Sequence, residues 1–76
     1  MERIQVEVLF INGKLIPRWF MFNHERINIA KVNWSWRTRE GEAIVVHFTI
    51  TDCNRVFELC FNAITMEWFL MNHYEM

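Results

Sequence analysis

An all-β fold is the class this sequence predicts, and three observations carry it. Apolar and polar side chains alternate over most of the chain, the period of two that sends successive residues to opposite faces of a strand. Short turn signals separate the alternating runs: Asn12-Gly13, Asn23-His24-Glu25-Arg26, Arg39-Glu40-Gly41 and Asp52-Cys53-Asn54-Arg55. The run from Gly41 to Phe61 also folds on itself without conflict. Folding it between Cys53 and Asn54 sets Ile50 opposite Phe57, Phe48 opposite Leu59 and Val46 opposite Phe61. A slip of one residue would set Phe48 against Glu58 and turn half the apolar set into water, so the pattern specifies its own register. The expected architecture is a five- or six-stranded antiparallel meander curled into a small barrel.

The first strand is read over Ile4, Val6, Val8 and Phe10, which alternate with Gln5 and Glu7. It runs into Asn12-Gly13, a strong hairpin signal because both residues tolerate positive φ. A second strand follows from Lys14 to Phe22. Pro17 has no N–H for the ladder, which places this part at an edge or a bulge; with Phe20 and Phe22 on the core face, Arg18 would face the core too unless the strand bends near Pro17. After the four-residue turn at Asn23, Ile27 and Ile29 are expected opposite Phe22 and Phe20. The third strand continues through Val32, Trp34 and Trp36, with a bulge near Ala30-Lys31 where alternation breaks. A three-residue loop at Arg39-Glu40-Gly41 would set Trp36 opposite Ile44, Trp34 opposite Val46 and Val32 opposite Phe48, all on the core face.

The central hairpin comes next, its outer face pairing Thr51 with Val56, Thr49 with Glu58 and His47 with Cys60. Residues 63–76 read as a strand placing Trp68 opposite Phe61 and Leu70 opposite Leu59. The alternative is a short C-terminal helix capped by Asn62, with Ala63, Met66, Leu70, Met71 and Tyr74 on one side.

Seventy-six residues are expected to form one small domain, burying only about 60% of the surface of the unfolded chain. With four Trp, seven Phe and five Met, an apolar patch should remain outside or be covered by a partner. The net charge of −1 offers no general attraction to nucleic acid or membrane. Its distribution is uneven: residues 14–39 carry six basic side chains against Glu25 alone, and residues 40–76 carry six acids against Arg55 alone. Pairing of these charges across neighbouring strands would account for the asymmetry. Met1-Glu2-Arg3 leads directly into the alternating Ile4–Val8 run, with no signal-peptide core and no run of membrane-spanning length. A cytoplasmic location, with Cys53 and Cys60 as reduced thiols, is the expectation.

Phe20-x-Phe22, a turn ending at Arg26, Ile27-x-Ile29, Val32, Trp36, then Val56-Phe57-x-Leu59-Cys60-Phe61-Asn62 and Trp68-x-Leu70 resemble a small bacterial all-β domain family of unknown function. The resemblance covers residues 17–72. Phe22 stands where that pattern prefers Trp, Glu25 where it prefers Gly, and Met66 where it often has Gly. It implies an all-β domain without an established activity. Some members resemble neighbours of DNA-repair genes.

Chemistry-bearing residues are sparse. His47 and Cys60 face one another, but a structural zinc site needs four ligands and the spacing of the two cysteines matches no zinc pattern. Cys53 beside Asp52 has no base to activate it. Gly13 and Gly41 are the only glycines, so no phosphate-cradling loop exists. No enzymatic activity, metal or cofactor is expected. Arg18, Trp19, Arg37 and Arg39 combine cations with an aromatic platform as single-strand nucleic-acid binders do, and they form the candidate site for that reading. The better-supported surface is the outer face of the last hairpin, where Phe69 pairs with Cys60, Met71 pairs with Glu58, and Val56 lies beside them. Aromatics and Met are enriched at interfaces. Val56, Cys60, Phe69 and Met71 are therefore the candidate interface of a non-enzymatic accessory domain that binds a partner protein or weakly self-associates.

Overall fold

The computed structural model describes residues 1–75. The fold is all-β and antiparallel, with eight strands: β1 (Glu2–Ile4), β2 (Val6–Ile11), β3 (Lys14–Phe22), β4 (Glu25–Asn28), β5 (Lys31–Glu40), β6 (Ala43–Thr51), β7 (Arg55–Asn62) and β8 (Glu67–Glu75). A five-stranded sheet has the order β1-β8-β7-β6-β5 and a three-stranded sheet the order β2-β3-β4. No helix is long and apolar enough to cross a membrane among the described residues.

This corrects both the expected count of five or six strands and the closed barrel. Two expected strands are each divided between the sheets. The first breaks at Gln5, so that β1 adds to β8 while β2 pairs with β3. The third breaks at Ile29-Ala30, where β4 ends in the small sheet and β5 begins the free edge of the large one. Backbone bonds tie both crossings: Met21 N–H donates to the Gln5 carbonyl (3.2 Å), Ile29 N–H to Arg18 (2.9 Å) and Ala30 N–H to Thr51 (2.8 Å). The chain therefore joins the sheets at two corners and leaves them open elsewhere.

Turn geometry accounts for the remaining differences in register. Asn12 and Gly13 have φ of 53° and 76°, the pair of left-handed residues of a type I′ turn. Asn23 and His24, at 50° and 64°, do the same, so that turn holds two residues and Phe20 faces Ile27 instead of Ile29. The loop before β6 also has two residues, Gly41-Glu42, with Gly41 at φ 63°. Arg39 thus lies opposite Ile44, Arg37 opposite Val46 and Ser35 opposite Phe48. The displacement from the expected pairing is three residues. An odd displacement exchanges the faces of a strand, so Trp34 and Trp36 lie outside. The irregularity in β5 is at Asn33, between Val32 and Trp34. Val32 retains the inward parity, opposite Ile50.

The expected bend near Pro17 is a bulge that leaves Arg18 unpaired between Trp19, opposite Glu7, and Pro17, opposite Val8. The extra residue lets both Pro17 and Phe20 face inward, and both are buried. The β6–β7 hairpin has the expected register throughout. Residues 67–75 form a strand, with Trp68 opposite Phe61 and Leu70 opposite Leu59. Phe20, Ile27, Ile50, Phe57 and Leu59 are the most completely buried large side chains and form the centre between the sheets. Phe57 packs edge-to-face on Phe20 at 5.0 Å and on Phe22 at 5.8 Å.

Candidate interaction surface

The outer face of the five-stranded sheet is built from alternate residues of β5 to β8. Its central row runs from Trp36 through His47, Cys60 and Phe69 to Arg3, each opposite the next. A second row runs through Trp34, Thr49, Glu58 and Asn72, and a third through Lys31, Thr51, Val56 and Tyr74. The alternation in β5 and β6 dictates this: with the inward positions of β6 taken by Val46, Phe48 and Ile50, their neighbours face outward.

Trp34 is 66% exposed and Trp36 39%. The Trp36 indole stacks on the His47 imidazole at 4.9 Å and 5° between planes. Thr38 Oγ1 lies 2.8 Å from His47 Nε2, so a hydrogen bond and a stacked ring together hold the imidazole in place. Beneath this layer Cys60 is 6% exposed, and burial pushes its thiol pKa up, with Glu40 adding to the shift. A neutral, covered thiol is neither a nucleophile nor a metal ligand. Among the described residues no group of three or more His, Cys, Asp and Glu could hold a metal ion.

Of the expected interface residues, Val56, Cys60 and Phe69 share this face, and Cys60 lies opposite Phe69 as expected. Met71 does not pair with Glu58. A bulge at Met71 sets Asn72 opposite Glu58, leaving Met71 unpaired and 45% exposed. The same extra residue turns His73 inward, opposite Phe57, with its ring 4.8 Å from Phe22. Tyr74 takes the outward position opposite Val56. Neither terminal strand covers the face: β1 extends the sheet sideways from β8, and Tyr74 is one of the face's own exposed residues. Trp34 and Trp36, which the sequence reading placed in the core, are its most prominent members. The signal for them is Gly41, which as the first residue of a two-residue turn sets the register of β5.

Arg18 and Trp19 lie on β3 of the small sheet, and Arg37 and Arg39 on β5 of the large one. The face of Trp19 is occupied by the Arg26 guanidinium, 4.3 Å from the ring centroid. Arg37 and Arg39 have the inward parity of Val46 and Ile44, opposite to that of Trp34 and Trp36. No single surface brings these cations together with an open ring. The expected pairing of the basic segment with acidic strands is also absent: the ion pairs among the described residues join Arg3 to Glu67, and Arg55 to Asp52 and Glu25.

Comparison with protein-family models, with curated proteins and with solved structures returns no match.

Proposed function

We propose that this chain is a non-enzymatic, cytoplasmic protein-interaction domain of the bacterial all-β family it resembles. Its interface is the outer face of the five-stranded sheet. The observation that carries this reading is the uncovered apolar surface of that face, with Trp34, Trp36 and Tyr74 exposed, Phe69 half-buried among them and Met71 exposed at the adjoining bulge. Two exposed indoles on regular sheet lose apolar contact with water only by meeting another surface, and Trp is among the residues most enriched at binding hot spots. Cys60, buried, and Val56, half-buried, lie on β7 of the same face, opposite Phe69 and Tyr74. The stacked His47 limits the motion of Trp36, which lowers the entropy lost on binding.

The test is a tagged pull-down from bacterial lysate, with and without nuclease, followed by rebinding of the purified captured protein. Phe69→Glu/Met71→Glu and Trp34→Ala variants with unchanged cooperative unfolding serve as controls. Wild type should retain a protein after nuclease, and the variants should lose it. Trp34→Ala should weaken the purified interaction by about thirtyfold, the equivalent of about 2 kcal/mol. Equal capture by wild type and variants would overturn the assignment. Capture abolished by nuclease would instead support a weak single-strand nucleic-acid binder acting through Arg18, Trp19, Arg37 and Arg39.

A further inference from the structure

A second surface lies where the two sheets stand apart. An open groove of about 750 Å³ runs between the β2–β3 hairpin and β5. Phe10, Leu15, Val46, Phe48 and Phe61 line it, with Lys14 and Arg37 among its polar residues. The groove borders two incomplete strand edges. β5 is terminal in its sheet, pairing with β6 alone, and all ten of its residues are exposed. β3 is paired with β4 only from Trp19 to Phe22, so beyond the Ile29–Arg18 bond Lys14–Pro17 has no strand on that side.

A long edge with free N–H and C=O groups is a template for another strand, and inward-pointing charges are a usual guard against it. Arg37 and Arg39 are such charges. Among the described residues neither they nor Lys14 has an acidic side chain within ion-pair distance. The guard is selective in sign. A second copy of β5 laid along this edge would bring its own Arg37 and Arg39 into the same basic neighbourhood, whereas an acidic strand would be drawn to it. Trp34 and Trp36, alternating with Ser35 and Arg37 along β5, present apolar surface on the other side of the same edge.

From this we infer that the β5 edge receives an extended peptide segment of a partner protein in which apolar and acidic residues alternate. The segment adds as a sixth strand to the large sheet. Its backbone pairs with β5, its acidic side chains lie beside Arg37 and Arg39, and its apolar side chains lie beside Trp34 and Trp36. Backbone pairing supplies affinity in strand addition, and alternate side-chain contacts supply specificity. This site is the β5 edge of the large sheet; it shares Trp34 and Trp36 with the face assigned above to the folded partner but does not involve β8, so Phe69→Glu/Met71→Glu should leave it intact.

The experiment uses the full chain and three fluorescein-labelled decapeptides, read by fluorescence anisotropy at low salt. One alternates valine and glutamate, one alternates valine and lysine, and one is the valine–glutamate peptide with alternate backbone amides N-methylated. The valine–glutamate peptide should bind saturably, at least tenfold more tightly than the lysine peptide, and N-methylation should abolish binding. Arg37→Glu/Arg39→Glu, at exposed positions and checked for unchanged unfolding, should reverse the preference between the two charged peptides. Amide hydrogen exchange should show new protection at those β5 amides that do not bond to β6. Equal binding of both charged peptides, indifference to N-methylation, or absence of binding would overturn the proposal, the last leaving Arg37 and Arg39 as edge guards only. Concentration-dependent dimerisation that protects the same β5 amides would overturn it in favour of a second copy.

Discussion

Asp52 accepts four hydrogen bonds, more than any other side chain among the described residues. Its Oδ1 accepts from the backbone N–H groups of Asn54 (3.1 Å) and Arg55 (2.8 Å), closing the β6–β7 turn. Its Oδ2 accepts from Arg55 Nε (3.2 Å) and Nη2 (2.9 Å). Arg55 Nη2 also lies 3.6 Å from Glu25, so one guanidinium links the turn of the large sheet to β4 of the small one. Burial works to raise the Asp52 pKa, but the two backbone bonds and the guanidinium outweigh it and hold the group below its usual 3.8. A carboxylate with a depressed folded pKa contributes stability that is present above its unfolded pKa and lost as pH falls through the folded value. Asp52→Ala should therefore cost about 1–2 kcal/mol at pH 7, the range for losing a capping acceptor. Asp52→Asn, which keeps an Oδ1 acceptor, should cost less. Urea unfolding at pH 7 and pH 3 is the check: the gap between wild type and Asp52→Asn should narrow at the lower pH.

At the scale of elements, the β7–β8 connection is a helix begun and stopped. Asn62 Oδ1 accepts from the N–H groups of Ile64 (2.9 Å) and Thr65 (3.1 Å), as a helix N-cap does, and Met66 N–H bonds to the Asn62 carbonyl at 2.8 Å. One turn forms. Met66 then adopts φ 63°, a left-handed conformation that an unbranched side chain tolerates poorly and glycine accepts, and the chain leaves as β8. Met66→Gly should therefore raise stability by about 1 kcal/mol, measured as an increased urea midpoint with unchanged slope. A loss would place the weight on the Met66 side chain, which lines the groove between the sheets. The strand that follows was legible in the sequence, because only a strand returns Trp68 and Leu70 to Phe61 and Leu59; Asn62 was expected to cap only in the helical alternative, and here its cap serves a single turn. Register was legible wherever apolar residues faced apolar residues across a turn of evident length, as from Val46 to Phe61. It was not legible where turn length was open. Asn23-His24 and Gly41-Glu42 are two-residue turns whose flanking residues could equally have been loop, and at β5 that difference decides whether Trp34 and Trp36 are core or surface. Single-residue bulges at Asn33 and Met71 leave no compositional trace, yet the second moves His73 to one face and Tyr74 to the other. The proposed interface therefore kept Val56, Cys60 and Phe69 from the sequence and owes its two tryptophans to the structure.

The whole molecule is held by a single contact zone between unequal sheets. A domain of this length has about 4–11 kcal/mol of stability in total, and Phe57 concentrates much of what joins the halves. It is fully buried on β7 and meets Phe20 and Phe22 of β3 edge-to-face, a geometry that adds about 0.5–1.5 kcal/mol per pair beyond area alone. Phe61, four residues along the same strand, is also buried but lines the open groove between β5 and the β2–β3 hairpin. Truncation at these two sites removes the same atoms and leaves different voids. At Phe57 the cavity is enclosed between both sheets, so the transfer and cavity costs add, and Phe57→Ala should cost about 3–5 kcal/mol. At Phe61 the space opens into a groove that is itself open to solvent, which removes much of the cavity term, so Phe61→Ala should cost about 2 kcal/mol less. Urea midpoints of the two variants decide it, with Phe57→Leu as a milder substitution if Phe57→Ala leaves too little folded protein to measure. A separation of the two midpoints in this order follows from an open wedge between the sheets. Equal losses would mean that the groove is filled in solution, and that the large sheet reaches the β2–β3 hairpin along its full length.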